Sequence, residues 1–245
     1  SCMVNMLRVW SARAPKRFDM NSFNRGQYVQ AMEERELAEV ISKVLYPNDD
    51  SWQGKELRLK QQYFFSSASV QYAVNDFLKV YGPQWSIFAD KVAIHINDTH
   101  PAVAIPELMR LLMDEHGLGW DQAEDICRRT FAYTNHTVLQ EALERWPENL
   151  FAQTLPRVYQ IVCEMNRRLC EKLWKAYPGQ WERIGHMAVV AYNQIHMANL
   201  CVAFTHSVNG VSAIHTDILE KRTFHDYYVM EPGKFHAITN GITHR

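Results

Sequence analysis

The segment VAIHINDTHPAVAIPELMRLLMDEH, residues Val92–His116, joins a short apolar run to a polar turn and then to an amphipathic stretch. Val92–Ile96 is brief, apolar and β-branched, which predicts a strand compatible with burial on both faces of a sheet. Ala104–His116 repeats apolar residues at helical spacing and is predicted to form an amphipathic helix. A strand that leads through a polar turn into a helix is the repeating unit of α/β domains.

The same alternation continues along the chain. The predicted strands are Met6–Ser11, Val92–Ile96, Phe131–Thr134, Leu200–Thr205 and Phe235–Thr239. The predicted helices are Glu34–Leu45, Lys55–Tyr81, Ala104–His116, Trp120–Arg129, Glu141–Trp146, Pro156–Tyr177, Met187–Asn199 and Val211–Thr223. Strands separated by helical crossovers favour a doubly wound, helix-rich α/β fold with a mostly parallel sheet. Since no segment between positions 6 and 240 resembles a linker, we expect residues 1–245 to form a single α/β domain.

The composition excludes several classes of protein. With 47% hydrophobic and 22% charged residues, the chain is not of the disordered, collagen-like or coiled-coil type. Lys and Arg total 26 against 27 Asp and Glu, without a basic block, so we expect neither a nucleic-acid nor a membrane partner. The longest apolar run, near Met197–Phe204, is far shorter than the roughly 20 residues that a membrane span needs. The five scattered cysteines favour a reducing cytoplasm over a disulfide framework or a zinc finger.

Polar side chains follow four of the predicted strands. They occupy Asn97–Pro101, Thr134–Thr137, Thr205–Ser207 and Thr239–Gly241. In open α/β sheets, ligands bind beyond the carboxyl ends of the strands. Neutral hydrogen-bonding groups suit a polyhydroxyl ligand such as a sugar, because each hydroxyl needs a donor and an acceptor. Helix capping is the alternative interpretation, since Asp, Asn, Ser and Thr also favour helix N-termini.

A metal site is a rival interpretation of the same residues, with His95, Asp98, His100 and His136 as its ligands. Against it, His95 and His100 would face opposite sides of an extended strand, and His95 is expected to pack in the core. Glu141 and Glu144 would lie on a helix, either facing a site or in its first turn. The sequence contains no G-x-S-x-G, dinucleotide-binding or P-loop motif. Reasoning from the residues therefore ends at a neutral polar pocket on an α/β sheet, and we expect no metal.

Seven longer strings follow one another along the chain. They are LRVWSARAP (Leu7–Pro15), YPND (Tyr46–Asp49), GKELRLKQQYF (Gly54–Phe64), INDTHPAVAIPELMR (Ile96–Arg110), AYTNHTVLQEALERWP (Ala132–Pro147), VNGVSAIH (Val208–His215) and TNGITHR (Thr239–Arg245). Together, and in this order, they resemble the glycogen (α-glucan or maltodextrin) phosphorylase family. Strings of this length are far more specific than a short glycine motif.

The resemblance implies a GT-B type enzyme, in which two Rossmann-like domains face a cleft. Such enzymes release glucose 1-phosphate from the non-reducing end of an α-1,4-glucan with inorganic phosphate, and pyridoxal phosphate supplies a phosphate group for acid–base work. This chain resembles the later part of the N-terminal domain, without the second, cofactor-bearing domain. We therefore expect no pyridoxal phosphate on this fragment and no turnover by it alone. Phe23–Arg35 resembles the start of a helix at the family's dimer interface, which implies a homodimeric parent.

Site residues follow from the resemblance position by position. His136 and Asn240 resemble residues that contact the glucosyl unit, and Thr137 lies beside His136. Asp98 and His100 resemble residues that line the pocket next to the anomeric side. Residues 48–53 resemble a flexible gate, with Asn48, Asp49 and Asp50 as its substrate-binding positions.

The sequence departs from the family's pattern at two positions, Asp50 and Gln140. Asp50 stands where the muscle-type pattern has an amide; an ionised carboxylate cannot donate a hydrogen bond and would repel phosphate. Gln140 replaces a common proline.

Two other functions remain open: a stand-alone, non-catalytic carbohydrate-binding module, and a metal-dependent hydrolase.

Overall fold

The computed structural model describes residues 7–14 and 20–242, and at residues 20, 22 and 29–35 it describes the backbone alone. These residues form two compact units that divide between Ala68 and Ser69. The predicted strand Met6–Ser11 begins outside the described residues. Its remaining residues, within 7–14, form no strand, so that prediction is wrong.

The first unit is helical in its described part. It contains α1 (Met20–Asn24), α2 (Tyr28–Lys43) and the first half of α3 (Trp52–Tyr81). Helix α2 begins six residues before the prediction, and α3 begins three residues before it. The Ser42 hydroxyl accepts a hydrogen bond from the Ala12 amide at 2.9 Å, and the Gln61 side chain donates to the Val44 carbonyl at 2.7 Å. These bonds join the strand-free N-terminal stretch and the end of α2 to neighbouring helices.

The second unit begins with the rest of α3 and is built around a parallel sheet. Its first elements are α4 (Phe88–Lys91), β1 (Ile94–Asn97), α5 (Ala104–Arg110), α6 (Trp120–Thr130) and β2 (Phe131–Thr134). A wider helical turn over Leu111–Glu115 continues α5, so the predicted helix Ala104–His116 is confirmed. Strands β1 and β2 pair in parallel, as the opening segment predicts.

A small antiparallel sheet and several helices follow β2. They are β3 (Arg145–Pro147), α7 (Glu148–Thr154), α8 (Pro156–Ala176), α9 (Trp181–Met187), β4 (Val190–Ala191), β5 (Gln194–His196) and α10 (Met197–Phe204). The small sheet has the order β3–β5–β4. The chain then forms β6 (Ser207–Gly210), α11 (Ala213–Ile218), α12 (His225–Met230) and β7 (Phe235–Ala237). Strands β6 and β7 complete a four-stranded parallel sheet with the order β1–β2–β6–β7.

The two faces of the parallel sheet differ in polarity. The register aligns Ile96, Tyr133, Val208 and Phe235 on one face, and all four are buried. The opposite face presents Asn97, Thr134, Asn209 and His236 in the next register row. His95 lies on this polar face and is exposed, so the expectation of a packed core histidine is wrong. Strands of alternating polarity are typical of a sheet with one apolar face.

Two predicted helices are wrong because a β-hairpin and a strand lie within them. In place of Glu141–Trp146, a short 3-10 turn at Gln140–Ala142 precedes β3. In place of Met187–Asn199, β4 and β5 are joined at Tyr192 and Asn193, which have φ values of 55° and 58°. Two successive residues with positive φ form the tight turn that favours a hairpin. That turn interrupts the helical spacing that the apolar residues suggest.

The predicted strand Leu200–Thr205 is helix α10, which is also a correction. All eight residues of α10 are buried, and a continuous apolar run of this length does not distinguish a buried helix from a buried strand. The true strand, β6, comes next as Ser-Val-Asn-Gly and was missed because it contains one large apolar residue. None of the helices in the described part of the chain combines the length and apolar character that crossing a membrane requires.

Candidate functional site

The carboxyl ends of the four parallel strands meet at one edge of the sheet. The amide of Asp98, just beyond β1, donates to the Thr134 carbonyl at 2.9 Å, and the Asn135 amide donates to the Asn209 carbonyl at 3.0 Å. The Ile238 amide, just beyond β7, donates to the Gly210 carbonyl at 3.2 Å. The segments that follow β1, β2, β6 and β7 are thus neighbours, as the strand-end argument predicts.

One of the four predicted strand-end clusters lies at the opposite edge. His206 precedes β6, and its amide donates to the carbonyl of Phe131, the first residue of β2, at 3.0 Å. The residues that do follow β6 are Val211 and Ser212. The prediction of Thr205–Ser207 at the carboxyl edge is wrong because the apolar run before it is helix α10 and the strand begins only at Ser207.

Asp98 forms the turn after β1 in a left-handed conformation, with φ at 61°. One of its carboxylate oxygens, Oδ1, accepts from the Thr99 amide at 2.6 Å, and this bond fixes the side chain against its own backbone. Asp and Asn tolerate positive φ better than other side chains of this size. Asp98 is half-buried, and His100 is exposed two residues further on.

His136 reaches back across the edge of the sheet to β1. Its Nε2 lies 2.5 Å from Oδ1 of Asn97, and because that amide oxygen only accepts, Nε2 carries the proton. In the neutral ring, Nδ1 is then a hydrogen-bond acceptor. His136 is exposed, so this acceptor is available to a ligand.

Thr137 and Asn240 are joined through two other residues. The Val211 amide donates to Nδ1 of His215 at 3.1 Å, so in the neutral ring Nε2 carries the proton and donates to the Thr137 carbonyl at 3.2 Å. The Asn240 amide donates to the Val211 carbonyl at 3.2 Å. A continuous path of hydrogen bonds therefore runs from the loop after β2, through the end of β6, to the segment after β7.

A second network lies on the polar face of the sheet, just behind these loops. The Thr134 hydroxyl donates to Asn209 Oδ1 at 2.8 Å, which leaves its oxygen to accept from His95 Nε2 at 2.5 Å. The Asn209 amide group donates to the Gly210 carbonyl at 3.0 Å. Side chains from β1, β2 and β6 are thus cross-linked where the strands end, which makes the edge rigid.

A buried asparagine shapes the loop after β2. The Asn135 side chain donates to the Tyr133 hydroxyl at 3.0 Å and accepts from the Thr137 amide at 2.9 Å. Burial raises the pKa of Tyr133 well above its ordinary value, so the phenol stays neutral. Because both ends of the amide are occupied inside the protein, Asn135 orients Thr137 and leaves ligand contact to its neighbours.

The predicted gate positions lie in the first unit, and their contacts are described within it. The Asn48 side chain accepts from the Asp50 amide at 2.8 Å, and Asp49 pairs with Arg58 at 2.8 Å. A Cβ atom at Gly54 would lie 1.9 Å from the Asn48 carbonyl oxygen, so only glycine permits this approach of loop and helix. Asn48 and Asp50 are exposed, and Asp49 is half-buried.

The described residues include no group of three or more His, Cys, Asp or Glu side chains that could hold a metal ion. Glu144 accepts from the Thr99 hydroxyl at 3.5 Å and precedes β3, whereas Glu141 lies exposed in the 3-10 turn. Four cysteines, Cys127, Cys163, Cys170 and Cys201, are free thiols. Burial raises the pKa of each thiol, which opposes a nucleophilic role.

Sequence reasoning missed three residues that organise the edge: Asn97, Asn209 and His215. The sequence marks Asn97 only as part of a polar cluster, and the other two residues lie in the string Val208–His215, which by itself indicates no site role. His215 was hidden because it follows the predicted strand by many positions. The signal was present, since Ser212 precedes it by three residues and caps α11 by accepting from the His215 amide at 3.1 Å.

These features define an α/β protein with a polar, hydrogen-bonding edge at the carboxyl ends of a parallel sheet. A sequence model described as carbohydrate phosphorylase matches residues 1–245, and the chain belongs to that family. The family has the GT-B fold. This chain is 50% identical, over 253 residues, to the muscle form of glycogen phosphorylase from Homo sapiens and from Oryctolagus cuniculus. It is 47% identical over 252 residues to the brain form from Rattus norvegicus. Each match covers 99% of this chain and 30% of the relative, so the chain spans less than a third of the length of these enzymes.

Proposed function

We propose that this chain is part of an α-1,4-glucan phosphorylase. The parent enzyme would use inorganic phosphate to release glucose 1-phosphate from the non-reducing end of glycogen, starch or maltodextrin. This chain, as a single α/β domain of the N-terminal half, supplies sugar-pocket residues and is inactive alone. The observation that carries the proposal is the hydrogen-bonded path from Thr137 through His215 and Val211 to Asn240, which brings two sugar-pocket segments to one sheet edge.

His136 and Asn240 contact the glucosyl unit through neutral hydrogen bonds. With Nε2 of His136 donating to Asn97, Nδ1 accepts from a sugar hydroxyl. The Asn240 side chain provides both a donor and an acceptor, and its backbone is already held by Val211. Such contacts accelerate the reaction when they tighten at the transition state, and they require side chains that are oriented beforehand.

Asp98 and His100 line the anomeric side of the pocket. Glycosyl transfer passes through a transition state with positive charge at the anomeric carbon. A carboxylate beside that carbon stabilises the charge, and Asp98 is oriented for this by its bond to the Thr99 amide.

A gate that contacts substrate contains Asn48, Asp49 and Asp50. At Asp50, the negative charge of the carboxylate repels incoming phosphate and so weakens its binding.

Pyridoxal phosphate in the parent would supply a phosphate group for acid–base chemistry. The residues described here do not fit the cofactor. The buried lysine, Lys234, has its ammonium 3.2 Å from Glu231, so it is already paired. We therefore assign cofactor binding to the part of the parent outside this chain and derive no step through it.

The parent is proposed to be a cytoplasmic homodimer that binds neither nucleic acid nor membranes. The dimer contact is assigned to Phe23–Arg35. In the described part of this segment, Phe23 and Tyr28 form an edge-to-face aromatic pair at 4.8 Å, and both rings are exposed. Exposed aromatic pairs of this kind are typical of interfaces.

The test is His136→Ala and Asn240→Ala in the full-length parent, measured as kcat/KM for glucose 1-phosphate release. We expect a loss of about a hundredfold for each, because transition-state contacts to the sugar are removed. The matched control is His206→Ala, an exposed histidine at the opposite edge of the sheet, which should retain normal kcat/KM. Normal kcat/KM in the His136 variant would refute the site. Release of glucose 1-phosphate by this chain alone would refute the assignment of the remaining machinery to the rest of the parent.

A further inference from the structure

A cavity of about 540 Å³ lies in the second unit, between the small antiparallel sheet and the C-terminal helices. Its walls come from residues 140–145, from α9 and β5, and from residues 222–227. The volume lies in the range of pockets that hold small-molecule ligands, roughly 300–1,000 Å³. His136, Thr137 and Asn240 do not line it, so it is separate from the candidate sugar site.

The floor of the cavity is held by side chains whose polar groups are already used. The Asn199 side chain donates to the carbonyls of His186 and Ala188, both at 2.8 Å. The buried Tyr227 hydroxyl donates to the Met187 carbonyl. These bonds fix the end of α9 against α10 and α12, so the cavity is formed before any ligand enters.

The cavity wall carries unbalanced positive charge. Arg145 and Arg222 line it, and neither forms an ion pair with any other residue that the structure describes. Of the two acidic residues on the wall, Asp226 pairs with Arg183 at 2.7 Å, whereas Glu144 accepts from the Thr99 hydroxyl and keeps its negative charge. With Arg183 included, three arginines face two carboxylates around the cavity, so a net positive charge remains to attract an anion.

A histidine on the wall has an unused hydrogen-bonding atom. Nε2 of His196 is buried and has no partner among the described residues. Burial and then the positive charge of Arg145 lower the pKa of this histidine below its ordinary value, which is a second sign of positive potential at the cavity. A buried polar atom without a partner costs free energy that a bound ligand can recover.

We propose that this cavity binds a small organic phosphate, with Arg145 and Arg222 as its charge partners and His196 as a hydrogen-bond partner. A phosphate monoester carries close to two negative charges at neutral pH, which matches two unpaired arginines better than a carboxylate does. Arginine also presents its donors in a fork that fits phosphate oxygens. Gln194 and Tyr192, on the same wall, are available to the hydroxylated part of the ligand. The site is independent of the proposed phosphorylase activity.

Isothermal titration calorimetry of this chain at low ionic strength tests the proposal, with inorganic phosphate and glycerol 3-phosphate as probes. We expect both probes to bind at millimolar concentrations or below, and glycerol 3-phosphate to bind more tightly. Arg145→Gln and Arg222→Gln should each weaken binding by about tenfold or more, because each removes a charge-assisted hydrogen bond. Arg129→Gln, which removes an exposed arginine outside the cavity, should bind as the unchanged chain does.

Two results would overturn the proposal: absence of binding by both probes, or equal weakening by Arg129→Gln, which would indicate diffuse surface charge. His136→Ala should leave the affinity unchanged, so failure of the sugar site and failure of this site are distinguishable. If the circular dichroism spectrum shows that an arginine variant is unfolded, that variant cannot report on binding. In that case, the imidazole NMR resonances of the unchanged chain test whether the ligand binds in the cavity. Those of His196 should shift on addition of glycerol 3-phosphate, and resonances that stay in place would contradict the assignment.

Discussion

His215 and Thr137 lie 78 positions apart in the chain, and the Nε2 atom of His215 is 3.2 Å from the Thr137 carbonyl oxygen. His215 is buried, and its second ring nitrogen is held by the Val211 amide. A neutral histidine with both nitrogens occupied acts as a fixed spacer between the loop after β2 and the start of α11. The position of the candidate sugar site depends on that spacer.

Replacing the spacer should loosen both the site and the fold. His215→Ala removes two hydrogen bonds from half-buried backbone groups. Each unsatisfied group costs about 1–3 kcal/mol, and water offsets part of that cost, so we expect the free energy of unfolding to fall by about 2–4 kcal/mol. Urea unfolding of this chain measures the change. Ser212→Ala, which removes only the α11 cap, is the matched control and should cost about 1 kcal/mol. Equal losses in the two variants would contradict the spacer role.

Gly210 should tolerate no side chain. A Cβ atom there would lie 2.6 Å from the Thr216 hydroxyl and 3.0 Å from the Thr216 amide nitrogen, which is backbone and cannot rotate away. Gly210→Ala is expected to destabilise the chain by about 1–3 kcal/mol through overpacking. Gly233, where a Cβ would meet nothing within 4 Å, is the control, and Gly233→Ala should unfold at the same urea concentration as the unchanged chain. An unchanged midpoint for Gly210→Ala would show that α11 can move away at no cost.

Asp50 is predicted to limit substrate binding in the parent enzyme. Asp50→Asn would restore a donor at the gate and remove a charge that repels phosphate, so we expect the KM for inorganic phosphate to fall severalfold. The comparison is Glu56→Gln, another acidic residue of the first unit, which pairs with Lys60 at 2.6 Å. A KM that is equal in both variants would remove Asp50 from the substrate-binding set.

Glu231 should make the stability of this chain acid-sensitive. Burial alone would raise its pKa, but the hydrogen bond from Lys172 and the charge of Lys234 outweigh burial and lower it to about 2. A carboxyl whose pKa is lowered by folding stabilises the native state above its unfolded pKa, and that contribution is lost as the pH falls through the folded value. We expect the free energy of unfolding to decline between about pH 4.5 and pH 2.

The matched variant for this prediction is Glu231→Gln. It should be less stable near neutral pH, because Lys234 is left buried without its partner, and its stability should depend less on pH in the acid range. Urea midpoints measured across this pH range distinguish the two proteins. Parallel curves for both would show that other carboxyl groups dominate the acid response.

Much of the fold could be predicted because the periodicity is local. The strands β1 and β2 and the helices α3, α6 and α8 are confirmed near their predicted bounds, since each has an apolar spacing that tertiary contacts do not override. The region 187–206 could not be predicted in the same way. A two-residue turn at Tyr192 and Asn193 and a fully buried helix both obscure the pattern there.

The candidate site also has a part that the sequence predicts and a part that it does not. Asp98, His136 and Asn240 could be proposed because polar residues directly follow predicted strands or occur in strings that resemble a family. Their surroundings could not, because His215 reaches the site from a different part of the chain. The roles of these residues remain predictions that the kinetic tests above address.

The sequence by itself determined the α/β class, the family and the polar residues that end β1, β2 and β7. These properties depend on spacing within short segments and on the order of the strings. Only the tertiary structure decided that β6 ends at Gly210, that His215 supports Thr137, and that Arg145 and Arg222 share a cavity. Each of these depends on segments far apart in the chain. Their contacts arise when apolar surfaces pack, and the local periodicity of the sequence does not indicate them.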